Sequence, residues 1–132
     1  MSRSHEIVID IEATPEEVFR AITDPEQIVK WFAPEARVDP RVGGEYYFSW
    51  SPGMGGTTTI SAWEPGQHFG TSNERSKIAV DYYIESLGGG ITRLRLVQSG
   101  FGPEAAWDDE FFEKTKTGWV AFLKKLKELL EK

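Results

Sequence analysis

The sequence predicts an α+β fold: an antiparallel sheet laid against one long C-terminal helix, with two short helices between the first strand and the rest. Three patterns carry that prediction. Residues 13–32 hold two helix-start signals in immediate succession. From residue 45 to 99 apolar and polar residues alternate in runs separated by glycine and proline turns. From Trp107 onward the period changes, and large apolar residues recur at helical spacing almost to the end.

The elements follow in order. Ile7, Ile9 and Ile11 alternate with Val8, Asp10 and Glu12, a strand with one buried face. Thr14 then caps a helix, Pro15 suits its first turn, and Glu17 completes a capping box. Asp24, Pro25 and Gln27 repeat that grammar for a second helix. So tight a pair forms a bracket between the strand before it and the sheet after it. Tyr46, Phe48 and Trp50 alternate with Glu45, Tyr47 and Ser49 in the next strand. The glycine-rich segment from Ser51 to Gly56 reads as a mobile hairpin connection, and Thr57 to Glu64 as a threonine-rich, poorly alternating strand. Glu64-Pro65-Gly66-Gln67 turns the chain into a short strand from His68 to Ser72. Ile78, Val80, Tyr82 and Ile84 mark the next strand, and Gly88-Gly89-Gly90 turns it into Thr92, Leu94, Leu96 and Gln98.

At about 100° per residue, one stripe of the last helix collects Trp107, Phe111, Thr115, Gly118, Phe122, Leu126 and Leu129. Phe112, Trp119, Leu123 and Leu130 widen it, while Asp109, Glu113, Lys124, Lys127 and Glu131 take the opposite face. A stripe this wide belongs to a helix resting on a large curved sheet. Its aromatic first half (Trp107, Phe111, Thr115, Trp119) is expected to face a cavity, and its leucine-rich second half to pack as core. Gly118 costs a helix roughly 1 kcal/mol against alanine, so either the sheet approaches closely there or the missing side chain leaves room.

Composition narrows the function. One domain over residues 1–132 is long enough for a sizeable core, and five tryptophans spread along it exclude a disordered linker. A net charge of −6 argues against a nucleic-acid partner, since phosphate binding draws on clustered Lys and Arg. Lys124, Lys125 and Lys127 read as a solvated face near a helix C-terminus. Without cysteine there is no disulfide and no thiolate site, and no apolar run suits a signal peptide or membrane insertion. A cytoplasmic location is the expectation.

Candidate chemistry is sparse. His5 opens a strand and His68 follows a turn; both are expected at the surface, without carboxylates at ligand spacing, so no metal site is expected. Asp108-Asp109-Glu110 reads as a solvated acidic first turn. The glycine runs lack the lysine and following helix of a phosphate loop. With the apolar register inward, the strands present aromatic and aliphatic walls, and Tyr46, Tyr82, Thr92 and Gln98 supply the polar tips. That make-up suits a small-molecule pocket, and equally a packed core.

Several motifs together resemble a known family: Ala13-Thr14-Pro15-Glu16-Glu17-Val18-Phe19, Thr23-Asp24-Pro25, Lys30-Trp31-Phe32, Val42-Gly43-Gly44, Glu64-Pro65, Ser99-Gly100-Phe101 and Gly118-Trp119. Their order and spacing are similar to the bacterial homologues of the heat-shock-protein ATPase activator, within the START-like, birch-allergen-like (SRPBCC) superfamily. The resemblance implies a helix-grip fold, in which a strongly bent antiparallel sheet wraps a long C-terminal helix and encloses an apolar cavity. It implies a binding scaffold whose relatives serve as carriers, polyketide cyclases or chaperone activators. In the activators this domain follows a separate N-terminal one. The first strand here starts almost at Met1, so no such domain is expected ahead of it. Many relatives carry histidine at the position of Gln98, so a histidine-based role does not transfer.

The resulting expectation is non-covalent binding of a small apolar or amphipathic ligand between sheet and helix, with no cofactor. The residues expected to contact it are Trp31, Phe32, Tyr46, Phe48, Trp50, Tyr82, Gln98, Trp107, Phe111, Thr115, Gly118 and Trp119. A cyclase- or hydrolase-like enzyme using Tyr46, Tyr82 and Gln98 is one alternative. A protein-interaction module that regulates a chaperone or forms a homodimer is the other.

Overall fold

The computed structural model describes residues 3–51, 54–73, 77–101 and 109–131, apart from the side chains of 3, 50, 51, 54, 55, 101, 109–112 and 115. The chain runs β1 (Arg3–Ile11), α1 (Pro15–Thr23), α2 (Pro25–Trp31), β2 (Glu35–Val38), β3 (Glu45–Ser51), β4 (Met54–Glu64), β5 (His68–Ser72), β6 (Ala79–Gly88), β7 (Ile91–Phe101) and α3 (Asp109–Leu130). The strands form one curved antiparallel sheet in the order β1-β7-β6-β5-β4-β3-β2. The architecture is α+β, a helix grip.

Local chemistry builds the bracket. Thr14 accepts from the Glu17 amide while the Glu17 carboxylate accepts from the Thr14 amide, so both halves of the capping box form. Asp24 ends α1 in extended backbone and caps α2 by accepting from the Glu26 amide at 3.0 Å. The expected repeat of the grammar through Gln27 is therefore corrected: its amide bonds the Asp24 carbonyl, and the side-chain cap is made one residue earlier. Pro25 cannot donate to an α1 carbonyl, and the chain turns sharply between the two helices.

The inward stripe of α1 (Val18, Phe19, Ile22) joins Ile11, Phe69, Leu94, Leu96, Leu123 and Leu126 in the core. Trp31 ties α2 to α1 by donating its indole N–H to the Ala21 carbonyl at 2.8 Å. Near its C-terminal end α3 is fastened to the β1 edge: Lys127 Nζ donates to the Asp10 carbonyl and Glu131 accepts from the Glu12 amide. Those side chains satisfy edge groups that would otherwise invite another strand.

Three sequence expectations change. The segment read as a connection, Ser51 to Gly56, is strand from Met54 onward, with Gly55 and Gly56 paired to Ser49 and Phe48. Residues 35–38, for which the sequence pattern gives no separate element, form an edge strand paired to β3. His5, expected at the surface, is 6% exposed on the inner face, in line with Ile7, Ile9 and Ile11.

Candidate functional site

Two neighbouring cross-strand rows decide where space remains under the sheet. One row, Ile7–Leu96–Tyr82–Phe69–Trp63, is made of large side chains. It meets Phe19 of α1, whose ring lies 5.1 Å from Trp63 and 6.2 Å from Phe69. That end packs solid. The next row, His5–Gln98–Val80–Thr71–Ile60, carries shorter side chains at its middle. Opposite it α3 presents Trp119, which stacks on Phe32 at 5.4 Å and so stands against the bracket.

Between them lies a cavity of about 190 Å³. Phe32, Tyr46, Phe48, Tyr82 and Trp119 supply its aromatic wall, and Ile78 and Val80 its aliphatic one. Thr58, Thr71, Asn73 and Gln98 give the polar groups. Gln98 is 7% exposed; its Oε1 makes no hydrogen bond of good geometry among the described residues, and the His5 ring beside it interacts with it only loosely. A buried amide oxygen left this way costs free energy that a donor on a ligand would recover.

Beside the cavity, Asn73 and the residues from Lys77 are joined through backbone, the Lys77 amide donating to the Asn73 carbonyl. The Asn73 amide in turn donates to the Ile78 carbonyl. Gly100 packs there at a φ of +92°, and a Cβ on it would collide with the Lys77 carbonyl. Glycine in the Ser99-Gly100-Phe101 motif is thus a geometric requirement.

The polar tips divide by use. Tyr46 donates its hydroxyl to the Ile22 carbonyl at 2.9 Å, and Thr58 donates to the Tyr46 carbonyl. Thr92 donates to the Ala13 carbonyl and lies outside the cavity lining, which corrects its reading as a pocket tip. Burial pushes the Tyr46 phenol up, and pushes Tyr82 well up with a further contribution from Tyr46. At neutral pH both are protonated phenols, hydrogen-bond donors without general-base capacity. His5, beside Gln98, is held below its ordinary value first by burial and then by Lys116, with Gln98 and Glu113 opposing.

Of the residues expected to contact a ligand, Phe32, Tyr46, Phe48, Tyr82, Gln98 and Trp119 come together around this cavity. Trp31 does not: it lines a surface groove beside α2 instead. Gly118 is half-buried and outside the lining, and a Cβ on it would meet no described heavy atom within 4 Å, so close approach of the sheet is not its reason. Trp107 lies outside the described residues, as do the side chains of Trp50, Phe111 and Thr115. Thr58, Thr71 and Asn73 were missed.

His68 sits on the convex face, stacked on Tyr83 at 4.4 Å. Contrary to expectation carboxylates flank it, Asp81 at 2.8 Å and Glu64 at 3.4 Å. A depression of about 660 Å³ opens over this face. It is larger than the inner cavity, but its basic groups are already paired, Arg93 with Asp10 and Arg95 with Glu6. Among the described residues no group of three or more His, Asp or Glu side chains is placed to hold a metal ion, and no helix is long and apolar enough to cross a membrane.

Over residues 12–131 the chain matches the family described as "Activator of Hsp90 ATPase homolog 1-like protein". Its fold is similar to that of a Mesorhizobium loti protein, with 27% identity, a TM-score of 0.81 and coverage of 97% of this chain and 96% of that one. The Aha1 dimer of Colwellia psychrerythraea gives 23%, 0.82, 99% and 96% on the same measures. An HSP90 activator of Plasmodium falciparum gives 21%, 0.80, 96% and 95%. No curated protein matches the sequence significantly.

Proposed function

We propose that this chain, which belongs to the family of Activator of Hsp90 ATPase homolog 1-like proteins, binds a small apolar or amphipathic molecule in the cavity between its sheet and α3. One observation carries the reading: an aromatic and aliphatic chamber with the buried Gln98 amide in its wall, a side chain shared with the His5 ring beside it. An apolar cavity of about 150 Å³ accommodates benzene, so about 190 Å³ suits a body of one ring or a short alkyl chain. Sterols and fused polyketides exceed it. A hydroxyl or N–H on that body would donate to Gln98, and Tyr82 would donate in return.

The enzyme alternative has less support, because the Tyr46 hydroxyl is engaged by Ile22 and both buried phenols stay protonated. A protein-partner role rests on the likeness to an HSP90 activator and to a dimer, each of which shares only the fold at its level of identity. A cytoplasmic site of action is part of the same proposal and is tested by cell fractionation.

Native mass spectrometry of freshly purified protein, followed by a melting-shift screen of single-ring aromatics and short-chain alcohols and acids, tests the binding reading. Ligand at a hundredfold excess over its Kd stabilises by about 2.7 kcal/mol, well within detection. Val80→Trp, which fills the chamber, should remove the shift. A screen with no hit, together with a stable complex in pull-downs, would favour the protein-partner role.

A further inference from the structure

Phe32 belongs to two spaces at once. Its ring lines the inner cavity, and it also lines a surface groove of about 440 Å³ between α2 and α3. It occupies the C-cap of α2, two residues before Pro34, where the helix cannot continue. Around it stand Trp119, Phe48 and Phe122, with centroids 5.4, 5.0 and 4.9 Å away. Phe32 is thus the side chain that the chamber and the groove share.

The groove has an apolar floor, including Val29 at 44% exposure and Phe122, and two cationic sides, Lys30 and Lys125. Both lysines are exposed, and neither makes an ion pair among the described residues. Lys125 leans over the Phe122 ring at 5.9 Å. Two cations without an ion-pair partner among the described residues stand beside this apolar channel on a chain of net charge −6.

We infer that this groove is the outer half of the ligand site and that the ligand is a small amphipathic carboxylic acid. Its apolar end passes Phe32 into the chamber, and its carboxylate rests between Lys30 and Lys125 at the mouth. The inference rests on the cavity-binding reading and adds the polarity and direction of the ligand. A neutral molecule satisfies the chamber alone; an acid satisfies chamber and groove together.

The experiment compares phenylbutyrate with its neutral analogue phenylbutanol by titration calorimetry on wild type, the Lys30→Gln/Lys125→Gln variant and a Lys124→Gln control. The acid should bind wild type about three- to tenfold tighter than the alcohol, the scale of two exposed ion pairs, and lose that margin at high salt. The double variant should bind both probes alike with its alcohol affinity unchanged, and Lys124→Gln should behave as wild type. Equal binding of both probes to wild type would overturn the inference while leaving the cavity reading intact. Binding of neither would remove both. Phosphatidylglycerol vesicles form a separate arm: sedimentation that depends on the two lysines, without acid preference in free solution, would assign them to a membrane surface and overturn the inference.

Discussion

Tyr46 on β3 donates its hydroxyl to the Ile22 carbonyl of α1, 2.9 Å away and buried. The tyrosine thus walls the cavity with its ring and braces the helical bracket with its tip. Tyr46→Phe keeps the wall and leaves a buried carbonyl unsatisfied, which should cost roughly 1–3 kcal/mol. Urea denaturation should register that loss while affinity for phenylbutanol stays within twofold. A variant of unchanged stability but altered ligand affinity would reverse the assignment.

Asp24 ends one helix and caps the next. Asp24→Ala should lower stability by roughly 0.5–2 kcal/mol and leave ligand affinity unaltered. An unchanged melting midpoint would mean that the junction is set by Pro25 alone.

Leu126 is fully buried at the packed end of α3, whereas Gly118 sits beside open space. Leu126→Ala should cost roughly 2–5 kcal/mol, the range for a packed leucine. Gly118→Ala should instead stabilise by roughly 0.5–1 kcal/mol, since helix propensity improves and nothing described lies in the way. Destabilisation by Gly118→Ala would show that the helix needs glycine for contact.

His5 gives a pH dependence of definite sign. Burial and Lys116 hold its native pKa below the unfolded value of 6.5, with Gln98 and Glu113 opposing. The unfolded chain then binds more protons between the two values, so stability is complete above about pH 6.5 and falls as pH drops towards the native pKa. Asp10, Glu17 and Glu131 are also held low, by Arg93, by the Thr14 amide and by Lys127 respectively; their losses begin below about pH 4.5, outside this window. Denaturation at pH 7.5 and pH ~5.5 should show a loss in wild type that His5→Gln removes. An equal loss in both proteins would place the titration elsewhere.

What was legible in the sequence was what short-range chemistry decides. The capping box closes over three residues, and Ile7, Ile9 and Ile11 keep strict alternation, so both were readable. A register shift between Ile60 and Ala62 breaks the period of β4, which hid Thr58 and obscured how β4 aligns Thr71 beside the cavity. His5 was misplaced because a polar residue at a strand's start looks like an end, although it shares the parity of the isoleucines. Trp31 and Phe32 are adjacent, yet one pins α2 to α1 while the other faces the chamber. The Tyr46 hydroxyl finds its partner 24 residues away, a contact that no local pattern encodes.

The central claim is that an apolar body enters the chamber, and isotope-edited nuclear Overhauser spectroscopy of the phenylbutanol complex tests it most directly. The neutral probe makes the result independent of Lys30 and Lys125. Ring protons should show contacts to the Ile78 and Val80 methyls and to the Gln98 side-chain amide, saturating with ligand concentration. Contacts confined to Val29 on the outer groove, or none at any concentration, would contradict the account.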